Sequence, residues 1–187
     1  MKKIILLACF LILTGCAKQP VIANLNPQLG EQPSGVYSAG TSAVIIGQDS
    51  RRSKDVVVYL SDEPATGLAN ISALQDVIAR ELVDGLQRQG LTIDRSAPVQ
   101  VKFDINELLV RVTRANMLYT AEGKSHITLT VENRGAVDTR IYKREEKKDS
   151  ATRPDLPKLE KMLNAQLADI IQQMLQDEEV RKLISRQ

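Results

Sequence analysis

The sequence predicts an α+β fold: an antiparallel sheet of about five strands with two main helices packed on one face, after a signal peptide and a flexible tether. Three observations carry this reading. Val99, Val101, Phe103 and Ile105 alternate with polar neighbours, the period-2 pattern of a strand with one buried face. Two later segments, beginning near Ser72 and Asp155, repeat apolar residues at helical spacing along a single stripe. The chain opens with Lys2, Lys3 and an apolar run from Ile4 to Leu13, too short to span a bilayer, which takes a helix of about 20 residues.

That run leads into Leu13-Thr14-Gly15-Cys16. A basic start, an apolar core and a small-residue step make a secretory signal peptide. Leu-Thr-Gly-Cys is similar to the lipobox of bacterial lipoproteins, which implies cleavage between Gly15 and Cys16. The same resemblance implies lipid on Cys16, a diacylglycerol on the sulfur and an acyl chain such as palmitate on the amine. Removing residues 1–15 takes Lys2 and Lys3 with it, so the 25 Lys and Arg of the whole chain fall to 23 and match its 23 Asp and Glu. A neutral mature chain gives no argument for nucleic acid, which selects clustered positive charge. Cys9 leaves with the signal peptide and Cys16 is taken by lipid, so no thiol is left for a disulfide, a metal or a nucleophile.

Residues 17–40 are broken by Pro20, Pro27, Pro33, Gly30, Gly35 and Gly40, and show neither helical nor strand period. They read as a flexible tether spanning roughly 25–30 Å, with the alternative that part of it, around Val36 and Tyr37, packs on the domain. The expected division is a cleaved signal peptide over 1–15, a lipidated tether over 16–40 and one domain over 41–187.

Ala43–Ile46 and Asp55–Leu60 are short β-branched runs and read as strands, with Asp49, Arg51 and Arg52 in a solvated loop between them. Ser61–Asn70 reads as a loop. Ser72 to Gln75 has capping-box spacing, and Leu74, Val77, Ile78, Leu82 and Leu86 share one helix face. On another face Asp76–Arg80 and Asp84–Arg88 are spaced for ion pairs, and Gly90 is placed to end the helix. Leu91–Ile93 reads as a short strand and Val99–Ile105 as a longer one, with a bulge near Asn106–Leu108. Strands over 124–131 and from Val137 to Ile141 flank an Asn133-Arg134-Gly135 turn. The charged segment from Lys143 to Asp149 is expected to run out to solvent. A helix from about Asp155 to Gln176 carries the broadest apolar stripe, with Asp155 as cap and Pro157 in the first turn, and a short helical tail follows.

The chemistry the sequence withholds is equally informative. Its one histidine, His126, alternates with Thr128 and Thr130 and is expected on the solvent face, without the orienting partner a general base needs. There is no Cys/His cluster for zinc and no phosphate-binding glycine loop. No catalytic residue and no metal site are assigned, and an enzyme is not expected. Arg140, Lys143, Arg144, Lys147 and Lys148 form the densest cationic run, a candidate surface for an anionic partner. Against it stands protection of an exposed sheet edge, which charged residues commonly provide.

The whole chain resembles the YajG family of Gram-negative envelope lipoproteins. The resemblance begins with Gly15-Cys16-Ala17-Lys18-Gln19-Pro20 and continues through Gln89-Gly90, Val99–Ile105, Leu108 and Tyr119. It ends with the strand over 127–131 and the helical segment over 163–184. The family offers no catalytic residues to carry over. In such lipoproteins an Asp after the lipidated Cys favours inner-membrane retention; here Ala17 implies the outer membrane, periplasmic face. The expected function is a non-catalytic adaptor, lipid-anchored to the membrane, that binds an envelope protein. A carrier or sensor of a small apolar or lipid ligand is the alternative. No nucleic acid, metal or cofactor beyond the covalent lipid is expected.

Overall fold

The protein is described by a computed structural model over residues 22–186. The signal peptide, Gly15, Cys16 and residues 17–21 lie outside the described residues. The elements are β1 (Ser42–Asp49), β2 (Asp55–Tyr59), β3 (Thr66–Ala69), α1 (Leu74–Arg88), β4 (Thr92–Ile93), β5 (Val99–Ala115), β6 (Leu118–Asn133), β7 (Ala136–Ser150), α2 (Leu156–Gln176) and α3 (Glu178–Ile184).

β5 is the axis. Along one side it pairs antiparallel with β6, which pairs antiparallel with β7. Its other side is shared: β1 lies parallel to the half from Val99 to Ile105, and β2 parallel to Val110–Val112. β4 extends the first branch in parallel and β3 the second antiparallel. The sheet is therefore mixed, not antiparallel as expected. The reason lies in the connections. The chain from β1 to β4 and β5 passes through α1, and a helical crossover returns a strand parallel to its predecessor. The meander β5–β6–β7 has only tight turns and must alternate in direction.

Both expected turn features are present. Arg134 and Gly135 take positive φ (52° and 79°) and close the β6–β7 hairpin in two residues. The pairing of β5 with β6 slips between Ile105 and Glu107, the expected bulge. Its consequence is packing. Phe103 and Ile105 point to the helices, and the extra residue lets Leu108, Val110 and Val112 point there too, rather than flipping outward.

All three helices cover this one face. The α2 stripe of Leu159, Leu163, Leu167, Ile170 and Ile171 is buried without remainder, each side chain contributing roughly 1.5–3 kcal/mol of transfer free energy. Asp155 caps α2 by accepting from the Lys158 N–H at 3.3 Å, with Pro157 in the first turn. α1 ends at Gly90 (φ 98°), where the Leu91 N–H reaches the Leu86 carbonyl at 3.0 Å. α1 starts differently from expectation: its N-cap is Ala73, with no side-chain cap. Asn70 holds the Ser72 carbonyl at 2.9 Å instead. Of the two expected α1 ion pairs, Arg88–Asp84 forms at 2.7 Å, whereas Arg80 turns to Glu81.

The largest departure from expectation is the tether. Residues 22–40 lie along the domain as a strap, with Ala23, Leu25 and Tyr37 buried. The Ala23 N–H donates to Ala69 at 3.0 Å, and the Ala23 carbonyl accepts from Ile71 at 2.7 Å. The strap then follows α2, its Asn24 and Asn26 N–H groups donating to the Glu160 and Asn164 side chains at 2.7 and 2.8 Å. It passes Gln172 through Gln32 (2.6 Å) and docks the Tyr37 N–H on the Gln89 carbonyl at the end of α1. A segment without internal period has its backbone groups satisfied by side chains of the helix beneath it.

Candidate functional site

The cationic run was the sequence's main candidate, and β7 divides it. Lys143–Asp149 does not leave the sheet: it continues an edge strand to Ser150. Alternation sends Arg140, Arg144 and Lys148 to the helix side and Lys143 and Lys147 to the outer face. Each of the first three meets a carboxylate, Arg140 with Asp138 and Lys148 with Glu146 at 2.6 Å, and Arg144 with Asp169 of α2. Lys143 stands opposite His126 and Lys147 opposite Glu122. The five cations make no single surface. Charges on an edge strand discourage pairing with another chain, and β7 carries them on both faces.

The loop read as solvated holds the most constrained polar group instead. Arg51 is only 9% exposed and fills the fork where β1 leaves β5 and β2 joins it. Its Nε and Nη2 donate to Asp49 Oδ1 and Oδ2 at 2.9 and 3.0 Å, and Nη1 to the carbonyls of Asp55 and Leu108, both at 3.0 Å. A planar fork of donors satisfies two strand ends and the bulged region of β5 together. Burial alone would raise the Asp49 carboxyl; the hydrogen bonds and charge of Arg51, with help from Lys54, outweigh it and hold it below its usual value. The only signal in the sequence was the Asp-x-Arg spacing in a polar loop, which does not reveal burial.

Above this fork, on the face away from the helices, lies an open depression of about 440 Å³ bordered by Arg52, Ser53, Asn106, Glu107, Arg111 and His126. Its chemistry is modest. His126 faces outward with Thr128 and Thr130, as expected. Burial, then the charge of Lys143, pulls its pKa down, so the ring is neutral at pH 7. Among the described residues its Nε2 has no partner, and Glu107, opposite it on β5, acts on the ring by charge without a hydrogen bond to orient it. Among the described residues no group of three or more His, Cys, Asp or Glu is placed to hold a metal ion.

Between sheet and helices the centre of the core is closely filled. Ile105, Leu108, Val110, Ile127, Leu163 and Leu167 have no accessible surface. A void large enough for one water would give its lining residues some. At the start of α2 an open groove of about 600 Å³ is framed by polar anchors: Tyr59 donates to the Pro154 carbonyl at 3.1 Å beneath the Arg153 guanidinium, 3.9 Å from the ring.

What the helices leave uncovered is the outer sheet face. Val137 and Ile141 are 61% and 60% exposed there, interleaved with Thr139, Lys143 and the threonines of β6. Among the described residues no helix is long and apolar enough to cross a membrane.

A family model described as uncharacterized lipoprotein matches residues 27–185, taking in most of the strap together with the domain. The uncharacterized lipoprotein YajG of Escherichia coli is 23% identical over 188 residues, covering 99% of this chain and 97% of its own length. The same values hold for YajG of a second Escherichia coli strain. The crystal structure of protein XCC0632 from Xanthomonas campestris shares the fold, with a TM-score of 0.61 at 10% identity over 85% of this chain and 99% of that one. With strap, domain and near end-to-end correspondence in agreement, the chain belongs to the YajG family of uncharacterized lipoproteins.

Proposed function

We propose that the protein is acylated at Cys16, stands at the periplasmic face of the outer membrane, and serves as a non-catalytic adaptor for another envelope protein. The observation that carries the adaptor reading is the uncovered sheet face, where Val137 and Ile141 sit exposed in an otherwise polar surface. Apolar side chains within a polar frame suit a partner that is bound and released. The lipid anchor is supported by the lipobox-like Leu13–Cys16 and by the family's lipoprotein character. The filled interior gives no support to carriage of a small apolar molecule between sheet and helices.

Two experiments test this reading. Cys16→Ser in the full chain is expected to abolish acylation, seen by mass, and to shift the protein out of the outer-membrane fraction; unchanged membrane retention would refute the anchor. A photo-reactive residue at Ile141, illuminated in intact cells, is expected to capture one envelope protein reproducibly. No adduct at either Ile141 or Val137 would refute the adaptor face.

A further inference from the structure

The docked strap changes how far the domain can stand from its anchor. A free tether of 24 residues would hold it roughly 25–30 Å away and allow about 80 Å at full stretch. Here the chain is already pinned at Ala23 and Leu25, which are 0% and 2% exposed, by four backbone hydrogen bonds of 2.7–3.0 Å to Ala69, Ile71, Glu160 and Asn70. Between Cys16 and Ile22 the chain reaches at most about 20 Å. Whatever path those residues take, the exit point of the strap is held within that distance of the lipid.

Two isoleucines stand exposed where the described part of the strap begins. Ile22 is 46% exposed and Ile71 is 66% exposed, and the parallel bridge between Ala23 and Asn70 sets the two diagonally across it, one residue to either side. Ile71 shares an open depression with Lys54, whose side chain is 61% exposed. A single exposed isoleucine is ordinary; two flanking one bridge at the first described residues of the strap, with the exposed Lys54 ammonium, paired to Asp49 at 3.2 Å, in the depression that Ile71 borders, match the layered chemistry of a bilayer surface.

We infer that the face formed by Ile22, Ile71 and Lys54 rests on the membrane. This rests on the lipid-anchor reading and adds an orientation to it. β7 lies at the opposite margin of the sheet, four strand spacings from β3, or about 19 Å. The edge carrying Val137 and Ile141 is therefore turned away from the lipid and stays open to a partner.

The test uses the full lipidated chain with one added cysteine, Ile71→Cys or Val137→Cys, both at exposed positions that the fold tolerates. Cys16 is blocked by its lipid, so a fluorophore attaches only at the new thiol. The labelled proteins are reconstituted into vesicles of phosphatidylethanolamine and phosphatidylglycerol containing a lipid with a nitroxide headgroup. Quenching several-fold stronger at position 71 than at 137 is expected. Co-flotation with equal quenching at both positions, or stronger quenching at 137, overturns the orientation while leaving the anchor intact. Failure of both proteins to float with vesicles removes the anchor, and the orientation with it.

Discussion

Arg51 grips Asp49 with both prongs of its guanidinium, at 2.9 and 3.0 Å, with the two side chains 6% and 8% exposed. The remaining donor prong ties the start of β2 at Asp55 to the bulged region of β5 at Leu108. Arg51→Ala leaves the Asp49 carboxylate with only the exposed Lys54 and removes the donor of the Asp55 and Leu108 carbonyls, an expected loss of about 3 kcal/mol. Arg51→Lys recovers only part of it, because an ammonium cannot donate along three directions in one plane. The urea midpoints of the two variants measure this; an unchanged midpoint for Arg51→Ala would show that the fork is not held by this residue.

Acid should weaken the fold in two separate windows. His126 is held neutral in the fold by burial and by Lys143, so its folded pKa lies below the unfolded 6.5. The unfolded chain binds the proton more readily, and stability is lost as pH falls from about 6.5 through the folded value. Asp49 sits below the 3.8 of the unfolded chain because the Arg51 bonds outweigh burial. Its contribution is complete above that value and disappears as pH falls through the lower folded one. His126→Gln should flatten the first window only, and Asp49→Asn the second, in urea titrations repeated across pH.

The strap should be part of the cooperative unit. Leu25→Ala removes a buried side chain at the strap's pin, with an expected cost of about 2 kcal/mol. A chain beginning at Thr41 should lose more, since Ala23 and Tyr37 go as well. Amide exchange offers a direct reading: the Ala23 and Ile71 N–H groups should be protected like those of β2 and β3. Rapid exchange there, with slow exchange in the sheet, would mean that the strap detaches freely.

The β5–β6 hairpin turns on Asn116 and Met117, with φ of 46° and 67°. Asn accepts the left-handed region, whereas Met does so at a cost of about 1 kcal/mol. Met117 is 80% exposed and contributes little burial. Met117→Gly should therefore raise stability by about 1 kcal/mol, visible as a higher thermal midpoint.

The α2 stripe, the Gly90 stop, the Asp155 cap and the alternation of β5 were legible in sequence because each is a local signal. β3 was not, since Thr66-Gly67-Leu68-Ala69 has one buried residue and turn-like neighbours. The second half of β7 was missed for a related reason. An edge strand clad in Arg, Lys and Glu on both sides has no apolar face to betray its period. The cationic run is divided at the same place, because alternate residues of a strand face opposite sides. Arg51 was taken for a solvated residue, because its burial depends on Leu108, 57 positions away.

By itself the sequence determined the elements whose information lies within a few residues: two striped helices, the alternating strands, and the turn at Asn133–Gly135. Tertiary structure alone decided the parallel placement of β1 and β2, the plug at the fork, and the conversion of tether into strap. Those depend on partners distant along the chain, as in the Asn24 N–H bonded to Glu160, 136 positions away. A backbone donor is the same in every residue, so no local pattern can say which acceptor the folded chain brings to it.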